Sequence, residues 1–144
     1  MRSIAYVSRA AVEWTDDDLA GLLAKSQQRN IEDAVSGLLI YCQGYFLQVV
    51  EGPHENISNL MERVAADPRH TDVKQIADQT YPRPTDFSNI ESKRMFPQWS
   101  MGFENVKSET LVHELLTPAV EKGLISHDLV REVLVERFLT NQTV

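Results

Sequence analysis

Two apolar runs of strand length, separated by only two residues, place the strongest constraint on how this chain can fold. The runs cover residues 35–42 (VSGLLIYC) and 45–51 (YFLQVVE), and Gln43-Gly44 between them is a short turn signal. Together they predict a β-hairpin. Both runs are apolar on both faces, so we expect the hairpin to be covered on each side of its sheet.

The segments around this hairpin alternate between strand and helix patterns. A helix is predicted over residues 15–30, where Thr15 is a candidate N-cap and Asp18, three positions on, suits a capping box. A second amphipathic helix is predicted over residues 55–66. The remaining strand predictions cover residues 3–8, 72–78 and 97–104.

The resulting order is β-α-β-β-α-β followed by one more strand, which is the split βαβ pattern of a ferredoxin-like fold. We therefore predict the α+β class, with a ferredoxin-like βαββαββ sheet and two helices on one face. In that topology the first and third strands lie side by side in the middle of the sheet.

The segments outside this pattern are a loop and a helical C-terminus. Residues 79–92 are polar and rich in proline, which predicts a long loop before the last strand. After it, two C-terminal helices are predicted over residues 111–123 and 127–139, and Pro118 should kink or end the first. These helices could cover the exposed face of the sheet, mediate self-association or dock a separate effector. We expect a core domain over residues 1–104 and a C-terminal helical extension over 105–144 that packs on it.

Charge and cysteine content exclude several classes of protein. The formal net charge is −7, which argues against a nucleic-acid surface. Cys42 is the single cysteine, so no internal disulfide can form, and no Cys/His spacing suits a metal. The sequence has no signal-peptide pattern and no apolar run long enough to span a membrane. We therefore expect a cytoplasmic protein that binds neither nucleic acid nor membrane.

No catalytic motif is present in the sequence. It contains no nucleophile elbow, P-loop or metal motif. The four histidines are scattered and lack a local partner pattern for acid–base work; they are His54, His70, His113 and His127. An enzyme on this fold, such as a small hydrolase, is therefore disfavoured.

Several polar side chains fall where the pattern calls for apolar ones. Ser26 and Asn30 lie on the leucine-rich face of the first helix, and Gln48 shares a strand face with phenylalanine and valine. Burying an unpaired amide costs about 2–7 kcal/mol, so each amide needs partners. Taken alone, Asn30 could simply end its helix, Gln48 could be a core glutamine with internal partners, and Tyr6 could be a large core residue.

If the first and third strands are neighbours, as predicted, these residues need not be independent core residues. Tyr6 and Gln48 can then share a face of the sheet, and Asn30 can reach them from the first helix. A connected polar patch in an apolar site is costly unless internal partners or a ligand satisfy it. An aromatic ligand with a hydrogen-bonding edge would suit such a site.

Five blocks of the sequence resemble domains of the BLUF family, which are flavin-binding blue-light sensors. SGLLIYCQGYFLQVVEGP resembles the family's central hairpin, in which a glutamine stands in an F-[LF]-Q-x-[LV]-E-G setting. SIAYVS resembles the first strand and SQQRN the end of the first helix. RVAADPRHTDV resembles the end of the second helix and RMFPQWSMGF the last core strand. The blocks stand in the family's order over about residues 3–104.

The resemblance implies a role for each matching residue. Tyr6 would donate an electron and a proton to the excited flavin, and Gln48 would be the amide that rearranges between phenol and flavin. Asn30 would bond the pyrimidine side of the isoalloxazine ring. The residues that would line or flank the flavin are Ser26, Arg29, Arg63 and Asp67. Trp99 and Met101 would relay the signal from the flavin outward.

Each of these assignments has a plainer alternative. Arg63 and Asp67 could form a surface ion pair one helical turn apart. Trp99 and Met101 could be core residues, and Arg69-His70 could serve only turn and surface chemistry. Two features also depart from the family pattern: Arg29 stands where many relatives carry an amide or a histidine, and the segment between His70 and Trp99 is longer.

The resemblance predicts a blue-light photoreceptor that is not an enzyme. It would bind FAD, with FMN as the alternative, without a covalent bond. Its output would reach a protein partner or act through a change of oligomer, and we expect a homo-oligomer. The competing hypotheses are a flavin-free ferredoxin-like interaction module and a flavin protein that has lost its photochemistry.

Overall fold

A five-stranded sheet forms the centre of the protein in a computed structural model that describes residues 1–11, 14–42, 44–80, 94–96, 101–105 and 109–134. The strands are β1 (Arg2–Ala10), β2 (Ser36–Cys42), β3 (Tyr45–Gly52), β4 (His70–Thr80) and β5 (Gly102–Asn105). The helices are α1 (Asp16–Glu32), α2 (His54–Ala66), α3 (Glu109–Leu115), α4 (Thr117–Glu121) and α5 (His127–Leu134).

The strand order β4-β1-β3-β2-β5 confirms the ferredoxin-like prediction. β1 lies between β3 and β4 and is antiparallel to both, so the first and third strands are neighbours as expected. The hairpin prediction is also confirmed, because Cys42 pairs with Tyr45 and Gly44 takes a φ of 87°. Glycine adopts such a positive φ without steric cost. β5 adds to the sheet parallel to β2.

The face of the sheet that carries Tyr6 is covered by α1 and α2. Alternate strand residues on this face point towards the two helices and form one buried cluster with them. The members are Ile4, Tyr6, Leu39, Tyr41, Phe46, Val50 and Met101 from the sheet side, with Val35, Leu19, Ile57 and Leu60.

The opposite face is covered by the C-terminal helices. Its buried cluster combines sheet residues with residues from the chain beyond residue 110, which explains why the hairpin is apolar on both faces. The cluster includes Ala5, Val7, Leu38, Ile40, Leu47 and Val49 with Val112, Leu116, Ala119, Leu124, Ile125 and Val130. Of the three roles considered for the helices, covering the sheet is thus observed. The domain boundary at residue 104 stays a prediction.

Helix α1 begins as its sequence predicts. The Thr15 side chain accepts from the Asp18 N–H, and the Asp18 side chain accepts from the Thr15 N–H, at 3.1 Å each. The helix continues to Glu32, so Asn30 lies inside it and does not end it. Asn30 is 2% exposed and therefore sits on the buried face, as the helical spacing predicts.

Over its described residues, the structure has three C-terminal helices where the sequence predicted two. The first predicted helix is divided at Leu116 into α3 and α4. Pro118 stands in the first turn of α4, where its missing N–H leaves no intrahelical bond unmade, so it begins a helix instead of only ending one. α5 is described through Leu134.

The loop predicted over residues 79–92 and the strand predicted over residues 97–104 lie partly outside the described residues. β4 is longer than predicted and includes residues 79 and 80 of the predicted loop. The rest of that loop, residues 81–92, lies outside the described part of the chain. The same is true of Trp99, so the last strand is described only over Gly102–Asn105.

Gly37 provides a test of how tightly the hairpin is built. A Cβ at Gly37 would lie 2.2 Å from the backbone oxygen of Val49, whereas one at Gly21 of α1 meets nothing within 4 Å. We expect Gly37→Ala to lower the free energy of unfolding by about 1–3 kcal/mol, as overpacking does. Gly21→Ala is the matched control and should raise it by about 1 kcal/mol. Urea unfolding measures both, and an unchanged midpoint for Gly37→Ala would contradict the packing.

Candidate functional site

A cavity of about 310 Å³ lies between α1, α2 and the middle of the sheet. Its size lies near the lower end of the roughly 300–1,000 Å³ usual for small-molecule sites. Its wall combines apolar, amide and charged side chains: Tyr6, Leu22, Lys25, Ser26, Arg29, Asn30, Leu39, Gln48, Leu60, Arg63, Val64, Asp67, Arg69, His70 and Met101.

Tyr6 and Gln48 form the floor of this cavity. They are directly opposed in the antiparallel register of β1 and β3, so their side chains emerge on the same face at neighbouring positions. Tyr6 Oη donates a hydrogen bond to Gln48 Oε1. The other end of the amide, Gln48 Nε2, donates to the sulfur of Met101 at 3.3 Å. The phenol, the amide and the thioether thus form one chain of contacts from β1 to the start of β5.

The Tyr6 phenol is held in its protonated form. Complete burial raises its pKa well above the usual value, and the nearby charge of Asp67 raises it further. The phenol is therefore a hydrogen-bond donor throughout the neutral range. Because Gln48 can accept only through Oε1, the phenol fixes the orientation of the amide.

Helix α1 brings Asn30 and Ser26 to one side of the cavity. Asn30 is buried and Ser26 is half-buried, four positions earlier on the same face. Gln27 of the same helix donates from Nε2 to the backbone oxygen of Met101 at 3.1 Å. The helix therefore contributes polar groups to the cavity and also holds the backbone next to Met101.

The apolar wall of the cavity was not assigned from the sequence. Leu22 of α1, Leu39 of β2 and Leu60 and Val64 of α2 line it. The helical spacing marks three of them as buried-face residues, but it does not distinguish a residue that lines a cavity from one that fills the core. That distinction depends on how far apart α1 and α2 stand.

Cationic side chains surround the cavity on the α1 and α2 sides. Lys25, Arg29 and Arg69 are exposed and Arg63 is half-buried. Lys25 and Arg69 were not assigned from the sequence. The cations stand where the cavity meets solvent, whereas the amides lie deeper.

The proposed ion pair between Arg63 and Asp67 is wrong. Arg63 approaches Asp33, with 3.6 Å between Nη2 and Oδ2, and Asp67 pairs with Arg69 at 2.5 Å. The hydrogen bonds from Arg69 lower the pKa of Asp67. Asp67 is therefore charged at neutral pH and lies close enough to Tyr6 to act on its pKa.

His70 has a larger role in the site than the expected turn and surface chemistry. Its Nδ1 lies 2.8 Å from Ser8 Oγ, and its ring meets the edge of Phe46 with 5.2 Å between centroids. Burial lowers its pKa, so the ring is neutral at pH 7. Arg69 itself is exposed, as expected.

Two of the four histidines are not scattered but lie in contact with each other. His113 of α3 and His127 of α5 approach with 3.0 Å between their Nδ1 atoms. The contact lies on the surface, away from the cavity, and joins two C-terminal helices. Within the described residues, no group of three or more His, Cys, Asp or Glu is placed to hold a metal ion.

All but one of the site residues predicted from the sequence lie at the cavity. The structure brings seven of them to the cavity together with Met101, and Trp99 lies outside the described residues. The seven are Tyr6, Ser26, Arg29, Asn30, Gln48, Arg63 and Asp67. Among the helices that the structure describes, none is long and apolar enough to cross a bilayer.

Comparison with protein families gives one match over most of the chain. The family described as BLUF, sensors of blue-light using FAD, matches residues 1–102. The match contains the sheet strands β1–β4, both helices that line the cavity, and Met101.

Curated relatives match short parts of much longer proteins. The photoactivated adenylate cyclase subunit beta-like protein FB of Euglena gracilis is 33% identical over 76 residues, which cover 53% of this chain and 9% of the relative. The corresponding alpha-like protein FB is 30% identical over 138 residues, 96% of this chain and 13% of the relative. The chain thus spans only about a tenth of the length of these relatives.

Solved structures share the fold over most of the chain. BlrB, a BLUF protein in its dark state, has a TM-score of 0.64 and 26% identity over 84% of this chain and 81% of its own. BlsA in its photo-activated state has a TM-score of 0.66 over 94% and 92% of the two chains, at 21% identity.

The matched region is thus a sensor and not a catalytic domain, and the cyclase relatives are far longer than this chain. The ferredoxin-like fold agrees with this match. The chain belongs to the BLUF family of flavin-binding blue-light sensors.

Proposed function

We propose that the cavity holds the flavin, with its ring among the apolar side chains and its phosphates at the cationic mouth. The amides of Asn30 and Gln48 offer both donors and acceptors, which suit the polar edge of an isoalloxazine ring. Leu22 and Leu60 supply the apolar contact that a flat aromatic ring needs. The bound flavin would absorb blue light and supply the photochemistry that follows.

We propose that Tyr6 and Gln48 are the switching pair. The observation that carries this proposal is the contact chain in which the Tyr6 phenol donates to Gln48 Oε1 and Gln48 Nε2 donates to the Met101 sulfur. A glutamine amide offers an acceptor at one end and donors at the other. Turning the amide over exchanges the two ends without moving the backbone.

The two partners of Gln48 oppose a turn of the amide to different degrees. The Met101 sulfur is a weak acceptor, so little is lost when Nε2 leaves it. The Tyr6 phenol would then accept from Nε2, and its own proton would need a different acceptor. A turned amide is therefore disfavoured while the phenol keeps its proton in place, and becomes favourable when that proton is displaced.

The output of the switch is also a proposal. We propose that it reaches a protein partner or changes the oligomeric state, with the C-terminal helices over residues 105–144 as an extension of the 1–104 core. Relatives that are photoactivated adenylate cyclase subunits support a protein effector as the recipient. A homo-oligomer and a cytoplasmic location are part of the same proposal.

Absorption spectra of the purified protein test the switching pair. We expect a yellow protein whose flavin absorption shifts slightly to the red under blue light and recovers in the dark. Tyr6→Phe and Gln48→Ala should abolish the shift with flavin still bound, because each removes one end of the phenol–amide bond. Tyr41→Phe, a change on the same sheet face outside the cavity lining, should keep the shift.

Two results would count against this assignment. A full red shift in Gln48→Ala would show that the amide is not the switch. A colourless wild-type protein that no added flavin restores would favour the flavin-free interaction module instead.

A second experiment tests whether the cationic mouth binds the flavin phosphates. Arg29→Gln should weaken the binding of FAD and of FMN about tenfold, the effect of one lost charge-assisted hydrogen bond. Riboflavin has no phosphate, so its affinity should hardly change. Arg9→Gln, an exposed arginine outside the cavity lining, is the matched control. Titrations by flavin fluorescence measure all three, and an equal loss for riboflavin would contradict the phosphate role.

A further inference from the structure

The face of the sheet opposite the cavity contains a buried carboxylate that has no part in the site described above. Glu51 is 0% exposed and lies on β3, two positions beyond Val49 and on the same face as that core residue. A buried carboxylate is strongly disfavoured unless hydrogen bonds compensate for the lost water. Glu51 therefore requires an explanation from its partners.

The partners of Glu51 are one hydroxyl and two successive backbone N–H groups. Ser36 donates from Oγ to Oε2 at 3.1 Å. The backbone N–H of Met95 donates to Oε1 and that of Phe96 to Oε2, each at 2.7 Å. Both oxygens are thus engaged, and the carboxylate holds a stretch of chain 44 and 45 residues away in sequence.

Arg94 strengthens the same attachment. Its guanidinium donates to Ser36 Oγ at 3.0 Å, to the backbone oxygen of Glu51 at 3.3 Å and to that of Ala34 at 2.7 Å. Three consecutive residues, 94–96, are therefore fastened to the paired ends of β2 and β3. We call this set of contacts the Glu51 anchor.

The anchored residues lead to both the cavity and the C-terminal helices. Met95 and Phe96 are buried in the same apolar cluster as Val112 of α3 and Val130 of α5. Five positions after Phe96 the chain reaches Met101, which accepts from Gln48. β3 therefore contacts residues 94–96 from one face of the sheet and Met101 from the other.

These two contacts differ in strength. Glu51 makes charge-assisted bonds, which are about twice as strong as neutral ones. The bond from Gln48 to the Met101 sulfur is weak. If the Gln48 amide turns over, the Met101 side chain loses this bond, whereas residues 94–96 stay fixed and the Met101 backbone keeps its bond from Gln27. We expect a shift of the Met101 side chain to act on β5, which begins at the next residue, and through it on the C-terminal helices.

We propose that Glu51 is a positioning residue for the light signal. Its anchor serves as the fixed end that makes a change at Met101 move β5 and the C-terminal helices. The inference rests on the proposed switching role of Gln48 and extends it to the opposite face of the sheet. Glu51 does not touch the cavity, so its effect lies on the output and not on the photochemistry.

Glu51→Gln tests the anchor with almost no change of shape. A glutamine accepts through one oxygen only, and its NH₂ group would face one of the two N–H donors. We expect flavin binding and the red shift to stay as in the wild type. The difference in amide hydrogen exchange between light and dark over residues 109–134 should fall about fivefold, the lower range of coupling between sites.

Two further variants make the result decisive. Glu62→Gln, the same change at an exposed position of α2, should keep the full light–dark difference. Ser36→Ala removes one donor to Glu51 and one acceptor of Arg94, and should reduce the difference about twofold, the lower range for one lost hydrogen bond, even if Glu51→Gln does not fold.

The outcomes separate the anchor from a purely structural role and from the switch itself. Faster exchange in the dark with an undiminished light–dark difference in Ser36→Ala or Glu51→Gln would overturn the proposal. Loss of the red shift in Glu51→Gln with flavin bound would also overturn it, because Glu51 would then act on the cavity. A wild-type protein without any red shift would instead refute the proposed function.

Discussion

The antiparallel register of β1 against β3 is the constraint on which the rest of the site depends. It sets Tyr6 opposite Gln48, and it does so inside a hairpin-bound sheet that is buried on both faces. A slip of one residue would turn Gln48 to the face of the C-terminal helices and bring Glu51 to the cavity. Burial on both sides makes such a slip costly, so the fold itself fixes the phenol–amide contact.

The strand β3 carries one buried polar group for each face of the sheet, and the two are satisfied in opposite ways. Glu51 has strong partners on both oxygens, and those partners come from backbone that cannot rotate away. Gln48 has a strong partner at one end and a weak one at the other. A group with a weak partner can change state, whereas a fully bonded carboxylate can only hold its surroundings in place.

The sequence indicates those site residues whose signal is local. Ser26, Asn30 and Gln48 break the pattern of their own strand or helix, so periodicity alone marks them, and the capping box at Thr15 is complete within four residues. Tyr6 is marked only when its strand is placed beside the strand of Gln48. Glu51 is missed because its two backbone partners, the N–H groups of Met95 and Phe96, lie more than forty positions away. The contact between His113 and His127 likewise depends on the break at Leu116, which places α3 beside α5. The roles given to the cavity residues rest on a family resemblance and stay predictions.

The ionisation of Tyr6 limits how the proposed switch at the Tyr6–Gln48 contact can work. A raised pKa means that the folded protein binds the phenolic proton more tightly than the unfolded chain does. Its stabilising effect is complete below the ordinary tyrosine pKa of about 10 and is lost only as the pH rises above that value. The phenol is therefore protonated throughout the neutral range. What remains free to change is the orientation of Gln48, and only an event that displaces the phenolic proton can reverse the preference that the phenol imposes on it.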